Sequence, residues 1–581
     1  MPKRSTQPPG KPQQPGLSAL LKPYRGRISL LILFAIAGNT FNLWIPKIIG
    51  EGIDSFKQGS YNQTSIIVRF AVSALFILFF SYLQSIIQTY ASEKVAKDLR
   101  QTLSEKISQQ SFSWVQTTGP SKLLTNLTAD IDSIKLFVST AVASIASSVF
   151  IIIGASILLL TINWRLALAV LIIIPIISIT FFTVLKKVRA LFMKSRGIID
   201  SLNKTISESI LGAALIRVLN SQQYEFNKFI KPNSEARDTG FTILRMFAVL
   251  IPVVVFTANM AGVIILGLGG HFVIAGSMTL GDFAAFNNYL AILIFPIFVI
   301  GFMSNIIAQA GASYQRIASV LQAPDVPDTG TVEHTVKGNI VIENINLSFG
   351  QKPVLKDVSL QIKAGTHTSI TGPTASGKTQ LLNLVIGLLK PDSGNIFLDN
   401  APLDNYRKEA LHQQVGIVFQ DSIVFNMSMR ENIAFNQRVS KEAMQKAIAT
   451  AELATFAASL PQGLETIVSE RGTTLSGGQK QRLMLARALA IEPKLLLLDD
   501  FTARVDALTE QKILQNIKEN YPGITVVSVT QKISSAENSA EVILLMEGEV
   551  IASGTHGELL QTCPEYIQIY QSQRSTGNYE L

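Results

Sequence analysis

The stretch Gly372, Pro373, Thr374, Ala375, Ser376, Gly377, Lys378, Thr379 places a glycine, four residues, then Gly-Lys-Thr. Those residue types in that order suit a polyphosphate. Glycines let the backbone wrap closely, and successive N–H groups running into a helix N-terminus favour negative charge. Lys378 is predicted to reach the β- and γ-phosphates of a nucleotide, and the Thr379 hydroxyl to bind Mg²⁺. Further along, Lys494 is followed by four leucines and the acid pair Asp499 and Asp500. An apolar run ending in acids describes a buried parallel strand that delivers carboxylates at its C-terminal edge. Asp499 is expected to hold Mg²⁺, and Asp500 stands where it would contact an attacking water.

Such groups need a sheet beneath them, and the second half of the chain supplies one. A short β-type stretch, 368–371, enters the glycine loop, and another, 524–529, follows the acidic strand. The first half reads differently. Of the 581 residues 48% are hydrophobic, and the long apolar runs gather before about residue 310, so a membrane part precedes a soluble α/β part. Six runs mark candidate spans: 29–49, 66–89, 136–160, 166–184, 247–268 and 283–307. Each reaches the roughly 20 residues that a helix needs to cross ~30 Å of hydrocarbon. Residues 1–16, rich in Pro, Gln and Lys, read as a disordered tail, and the run starting near Ser29 as a retained span rather than a secretory signal.

The net charge of +9 is assigned to membrane topology, not to nucleic acid. Lys22, Arg25 and Arg27 precede the first span. Lys94, Lys97, Arg100 and Lys106 follow the second, and Lys186, Lys187, Arg189, Lys194 and Arg196 follow the fourth. The alternate loops carry little positive charge, which predicts a multi-pass protein of the plasma (inner) membrane with both termini in the cytoplasm. Connections of about 45 and about 60 residues separate spans two and three and spans four and five; both are helical in pattern and suggest long cytosolic levers. No Asp, Glu, Lys or Arg lies deep in a span, which argues against a proton-coupled carrier. Asn39, Asn42, Gln84, Asn259, Asn287 and Asn288 are left either to line a cavity or to hydrogen-bond between helices. A single cysteine, Cys563, rules out an intrachain disulfide.

A third motif makes the chain recognisable. Leu475, Ser476, Gly477, Gly478 and Gln479 precede a helical run, 480–490, after the phosphate loop and just before the acidic strand. In that order the three motifs resemble the ATP-binding-cassette (ABC) transporters, and Leu475–Gln479 resembles their signature sequence. The resemblance covers nearly the whole chain after the tail. Thr118-Gly119 with the following 124–132, the segment 208–217, and 279–282 are similar to the membrane half of exporters that fuse six spans to one cassette. The implied architecture is multidomain: an all-α polytopic transmembrane domain (17–325) with six helices and long cytosolic extensions, a linker (326–337), and an α/β P-loop nucleotide-binding domain (338–581). The resemblance further implies a Q-loop glutamine at Gln420 that senses Mg²⁺, Phe349 stacking on adenine, Asp506 in the D-loop, and Glu470 with Arg471 touching the levers. ATP and Mg²⁺ are the implied ligands.

Two departures bear on chemistry. The family's Glu after the Mg²⁺-binding Asp is here Asp500, with its carboxylate drawn back by about one methylene, roughly 1.5 Å; shifts near 1 Å can cost ~10²-fold. The family's histidine at the γ-phosphate falls on Gln531, which can donate a hydrogen bond but cannot carry an imidazolium charge. Ala503-Arg504-Val505-Asp506 and Ala375 are smaller departures. Lys378, Thr379, Asp499 and Gln420 are intact. The expected protein is an exporter subunit that contributes a degenerate ATP site to a heterodimer. Its partner would be a second half-transporter with intact Glu and His, whose site this chain's signature completes. Membrane lipids and a small amphipathic substrate, drug or lipid, are the other expected partners. The alternatives are a slow homodimeric lipid translocator and an ATP-gated, channel-like protein.

Overall fold

The computed structural model describes residues 16–325, 330–435, 439–468 and 475–577. Two compact units divide the chain. One comprises residues up to Gln109 and Thr118–Pro324; the other comprises Asp325 onward together with Gln110–Thr117.

Among the described residues of the first unit, six helices are long and apolar enough to cross a membrane: Lys22–Lys57, Gln63–Ser108, Pro120–Ile162, Trp164–Leu211, Gln222–Ile274 and Leu280–Leu321. Each contains one of the six expected runs and extends beyond it. The second, of 46 residues, is roughly 70 Å long at ~1.5 Å per residue, far more than the ~30 Å of hydrocarbon. The tight corners are capped by side chains. Asn62 accepts from Ser65 N, Asn163 from Leu166 N, and Thr279 from Asp282 N, each satisfying an orphan N–H of a helix start. Prolines 46, 232, 252 and 296 lie inside helices, where packing overrides their breaking tendency. The third helix carries two π-helical stretches, Asn126–Asp130 and Phe137–Ala141.

Polar contacts hold this bundle in register. The Tyr289 hydroxyl, fully buried, donates to Leu43 O at 2.9 Å. The buried Asp130 carboxylate is clamped by the Arg316 guanidinium, whose Nε donates at 2.9 Å, and so joins the third helix to the sixth. Asn39, Asn287 and Asn288 each donate to the carbonyl four residues earlier in their own helix, so one amide N–H of each is used within the helix.

The described residues of the second unit form three sheets. Strands β1 (Ile340–Phe349), β2 (Lys352–Ile362), β3 (His367–Thr371), β4 (Ser393–Leu398), β5 (Ala401–Pro402), β6 (Val415–Val418), β7 (Met427–Ser428), β8 (Ile467–Val468), β9 (Leu495–Asp499), β10 (Thr525–Thr530), β11 (Glu541–Met546) and β12 (Glu549–Gly554) appear in chain order. The central sheet runs β12-β11-β3-β10-β9-β6, the second β2-β1-β4-β5, and β7 pairs with β8. From β11 to β6 every pairing is parallel. Parallel strands are covered on both faces, and the four leucines of β9 show it. Leu495 and Leu497 enter one core with the phosphate-loop helix residues Leu381 and Leu384, while Leu496 and Leu498 enter the other with Leu483, Leu489 and Ile513.

Two boundaries differ from the sequence expectation. Residues 110–117, expected within the transmembrane domain, join the second unit because Phe112 packs against its core. Residues 330–337, expected as linker, are pinned to the cassette: Thr331 N and Val332 N donate to Asn405 O at 2.9 Å, and Val336 is buried in the same core. Apolar Val332 and Val336 make this stretch part of the fold. Residues 326–329 of the expected linker, and all but Gly16 of the expected tail, lie outside the described residues.

Candidate functional site

Three buried parallel strands end side by side. Thr371 of β3 pairs with Thr530 of β10, and Val529 pairs with Asp499 of β9. The edge beyond them is where an open α/β sheet places its ligand.

The phosphate loop leaves β3 at Gly372, whose φ is +148°; a Cβ there would lie 2.0 Å from Leu545 O, so only glycine fits. Gly377, at φ +100°, is likewise closed to a side chain, by Leu355 of β2. Ala375 also lies in the left-handed region, φ +66°, where an L-residue is strained and glycine is not. Lys378 then opens the helix Lys378–Val385. Its ammonium folds into the loop, donating to Gly372 O (2.8 Å), Pro373 O (2.7 Å) and Ser376 Oγ (3.2 Å), so all three donors are used. Burial pulls its pKa down, opposed by Asp500 and Asp499.

Thr379 Oγ1 donates to Asp499 Oδ1 at 3.1 Å, which brings together two residues expected at one Mg²⁺. Burial pushes the Asp499 carboxyl up; the Thr379 bond and Lys378 pull it down, and Asp500 and Asp421 add to the rise. Asp500 lies just past the strand in a left-handed conformation (φ 48°), with its N–H donating to Val529 O at 2.9 Å. Burial raises its pKa as well, against the pull of Lys378 and Lys532.

Gln420 follows β6, whose Val418 pairs with Leu498, so it lies at the same edge. Its carbonyl accepts from Gln481 of the signature helix at 3.3 Å. Gln531 follows β10 directly, and its Oε1 accepts from Thr374 Oγ1 of the phosphate loop at 3.1 Å. Phe349 ends β1 half exposed, at the turn into the strand that closes on Gly377. One edge therefore gathers Thr374, Lys378, Thr379, Gln420, Asp499, Asp500 and Gln531.

The signature stands apart. Ser476 caps the helix Gly477–Ala490 in a reciprocal pair, Ser476 N to Gln479 Oε1 (2.8 Å) and Gln479 N to Ser476 Oγ (3.3 Å). Gly477 and Gly478 lie against Arg504: an added Cβ would come within 3.1 Å of its Cδ and 2.8 Å of its carbonyl, respectively. Asp506 caps the next helix by accepting from Thr509 N at 2.9 Å. Among the described residues, no hydrogen bond or ion pair joins 475–479 to the phosphate loop. Glu470 and Arg471 lie outside the described residues.

Sequence reasoning missed Asp421, whose charge reaches Asp499, and Gln573, which bonds the backbone beside Gln531. An acid beside Gln420 was a readable signal for the first; nothing in a motif marks the second.

Comparison with known proteins agrees with this geometry. A family profile described as the ABC transporter transmembrane region matches residues 28–297, and one described as ABC transporter matches 355–503. The uncharacterized ABC transporter ATP-binding protein YfiB of Bacillus subtilis is 31% identical over 565 residues, covering 96% of this chain and 98% of that protein. The chain belongs to the ABC transporter family. The probable multidrug resistance ABC transporter YheI of the same organism is 28% identical, covering 96% of this chain and 97% of its own length. An ATP-dependent lipid A-core flippase of Syntrophus aciditrophicus is 29% identical, covering 85% and 83%. A solved structure, a bacterial Atm1-family ABC exporter with ATP bound, matches at TM-score 0.78 and 22% identity, covering 96% and 99%, and so shares the fold. This ABC protein is thus a half-transporter: a multi-pass membrane region fused to one ATP-binding cassette.

Proposed function

We propose that this chain is the subunit of a heterodimeric ABC exporter that holds ATP at a slow site of its own and completes a fast site on its partner. The observation that carries this reading is the pair Asp500 and Gln531. Both stand at the reacting edge, where the family resemblance expects Glu and His, while the binding residues around them are intact.

ATP binds through the phosphate loop, with Lys378 leaving its loop carbonyls for the phosphates. The Thr379 hydroxyl and Asp499 carboxylate, already 3.1 Å apart, offer the hard oxygens that Mg²⁺ takes, with Gln420 at the same edge. That ion would offset negative charge on the phosphates. Asp500 accepts a proton from water poorly because its carboxylate falls short, and Gln531 supplies a neutral contact to the γ-phosphate where an imidazolium would stabilise developing charge. The signature, capped and separate from the chain's own loop, is free to close over a nucleotide held by a second cassette. Closure on ATP shifts the spans from inward-open to outward-open, and hydrolysis at the partner's site resets them. Basic residues flanking the spans support a cytoplasmic cassette and cytoplasmic termini in the plasma membrane.

The cargo class is amphipathic, a drug or a lipid. The relatives named for multidrug resistance and lipid flipping support it, as do spans without deep charges. The flippase relative also favours a second reading, a homodimeric lipid translocator.

The deciding experiment is Asp500→Glu with Gln531→His. The double variant is expected to raise ATPase activity at least about tenfold, since one well-placed acid–base group contributes ~10²–10⁴-fold, and to shorten nucleotide retention. Unchanged ATPase and retention overturn the slow-site reading. Brisk, lipid-stimulated ATPase from the wild-type chain alone supports the homodimer instead.

A further inference from the structure

The helix Pro564–Gly577 touches the reacting edge through one side chain. Gln573 Nε2 donates to Gln531 O at 2.7 Å, and Gln573 Oε1 accepts from Ile533 N at 2.9 Å. A single carboxamide thus takes up the acceptor and the donor on either side of Lys532, as an adjacent strand would. The helix that presents it is firmly seated. Tyr566 is fully buried with Ile533, Ala536 and Leu544, and its hydroxyl bonds His556 Nδ1 at 2.8 Å. Lys532 N of the gripped turn also donates to Thr530 Oγ1 at 3.1 Å, and Lys532 O accepts from Ser535 N at 3.3 Å.

The gripped residue also reaches the nucleotide loop. Gln531 Oε1 accepts from Thr374 at 3.1 Å, while its amide N–H₂ has no partner among the described residues. An exposed glutamine on a short turn would otherwise sample many positions. A hydrogen bond to phosphate requires placement to within about 1 Å.

We propose that Gln573 is a positioning residue for this site. It fixes the backbone around residue 531 so that the Gln531 carboxamide is held at the phosphate loop, and the C-terminal helix thereby sets how well the cassette distinguishes a nucleoside triphosphate from a diphosphate. This rests on the reading of Gln531 as a γ-phosphate contact.

The test measures the affinity of the full chain, in lipid nanodiscs, for Mg-AMP-PNP and separately for Mg-ADP. Gln573→Ala and the length-preserving Gln573→Met both remove the two bonds and leave the Tyr566 anchor in place. Each is expected to weaken AMP-PNP binding about tenfold, the scale of one hydrogen bond to a charged group, with little change for ADP. The double variant with Gln531→Ala is expected to be no weaker than Gln531→Ala alone. Equal weakening of both nucleotides, or fully additive effects, overturns the proposal, because either marks Gln573 as general structural support. If Gln531→Ala weakens AMP-PNP binding and neither Gln573 variant does, the brace alone is wrong. If Gln531→Ala itself leaves the AMP-PNP preference intact, the γ-phosphate contact and its brace both fall.

Discussion

Two neighbouring carboxylates define the chemistry at the scale of single residues. Asp499 is buried and accepts the Thr379 hydroxyl; Asp500 stands one residue further, turned into the left-handed region. Burial makes the Asp499 charge unfavourable. Burial raises its pKa above the unfolded value, so stability falls as pH rises from the unfolded value through the folded one. Asp499→Asn removes that penalty. The nucleotide-free variant is expected to unfold a few degrees higher than wild type at neutral pH, yet to lose the extra stabilisation that Mg-ATP confers. Thermal unfolding with and without Mg-ATP checks both halves; a lower midpoint without ligand contradicts the electrostatic account.

Elements transmit what residues sense. The signature helix grips the segment after β6 at several points. Gln481 donates to Gln420 O, and Arg487 donates to Ile423 O at 2.9 Å and Asn432 O at 2.7 Å while stacking on Phe425 and Phe435. Burial lowers the Arg487 pKa to about 10, which still leaves it charged. These contacts tie the Gln420 segment to the signature helix. Below the same edge, β3 and β10 are joined by a buried polar chain: His367 Nε2 with Ser528 Oγ at 2.8 Å, then Ser369 at 2.8 Å and Ser539 at 2.5 Å. Burial depresses the His367 pKa to about 4 from 6.5. A depressed histidine contributes stability that is present above pH ~6.5 and lost as pH falls toward ~4, on the order of 3 kcal/mol at ~1.4 kcal/mol per unit. His367→Gln is expected to flatten the decline in cassette stability across that window. Denaturant unfolding at several pH values measures it, and an unchanged slope excludes His367 as the cause.

Assembly is the issue for the whole molecule. The phosphate loop and the signature of this chain are each fully formed, yet nothing among the described residues bonds one to the other. A nucleotide that needs both must borrow one from a second cassette. Ser476→Ala is therefore expected to act in trans: ATPase activity of the assembled exporter falls at least about tenfold, as for loss of a transition-state hydrogen bond, while nucleotide affinity at this chain's own loop is unchanged. ATPase assays on the pair, with nucleotide binding on the chain alone, separate these effects. A matched loss of binding at the chain's own loop overturns the division.

Much of this protein was legible in residue order. Six apolar runs of roughly 20 residues become helices because lipid admits only helices and closed barrels, and barrel strands need only ~10 residues; Gly372 to Thr379 specifies its loop because conformation there depends on glycine. The nearest-neighbour signals of Lys378, Asp499 and Ser476 are likewise local. Tertiary structure alone decided that Thr374 meets Gln531, that Gln573 bonds the turn beside it, and that Phe112 and Val336 belong to the cassette, whereas the helical pattern of the connections already announced helices running past their apolar cores. Those outcomes depend on contacts between residues up to several hundred positions apart. No periodicity or motif encodes such pairings; they arise only when strands align in register and buried surfaces close together.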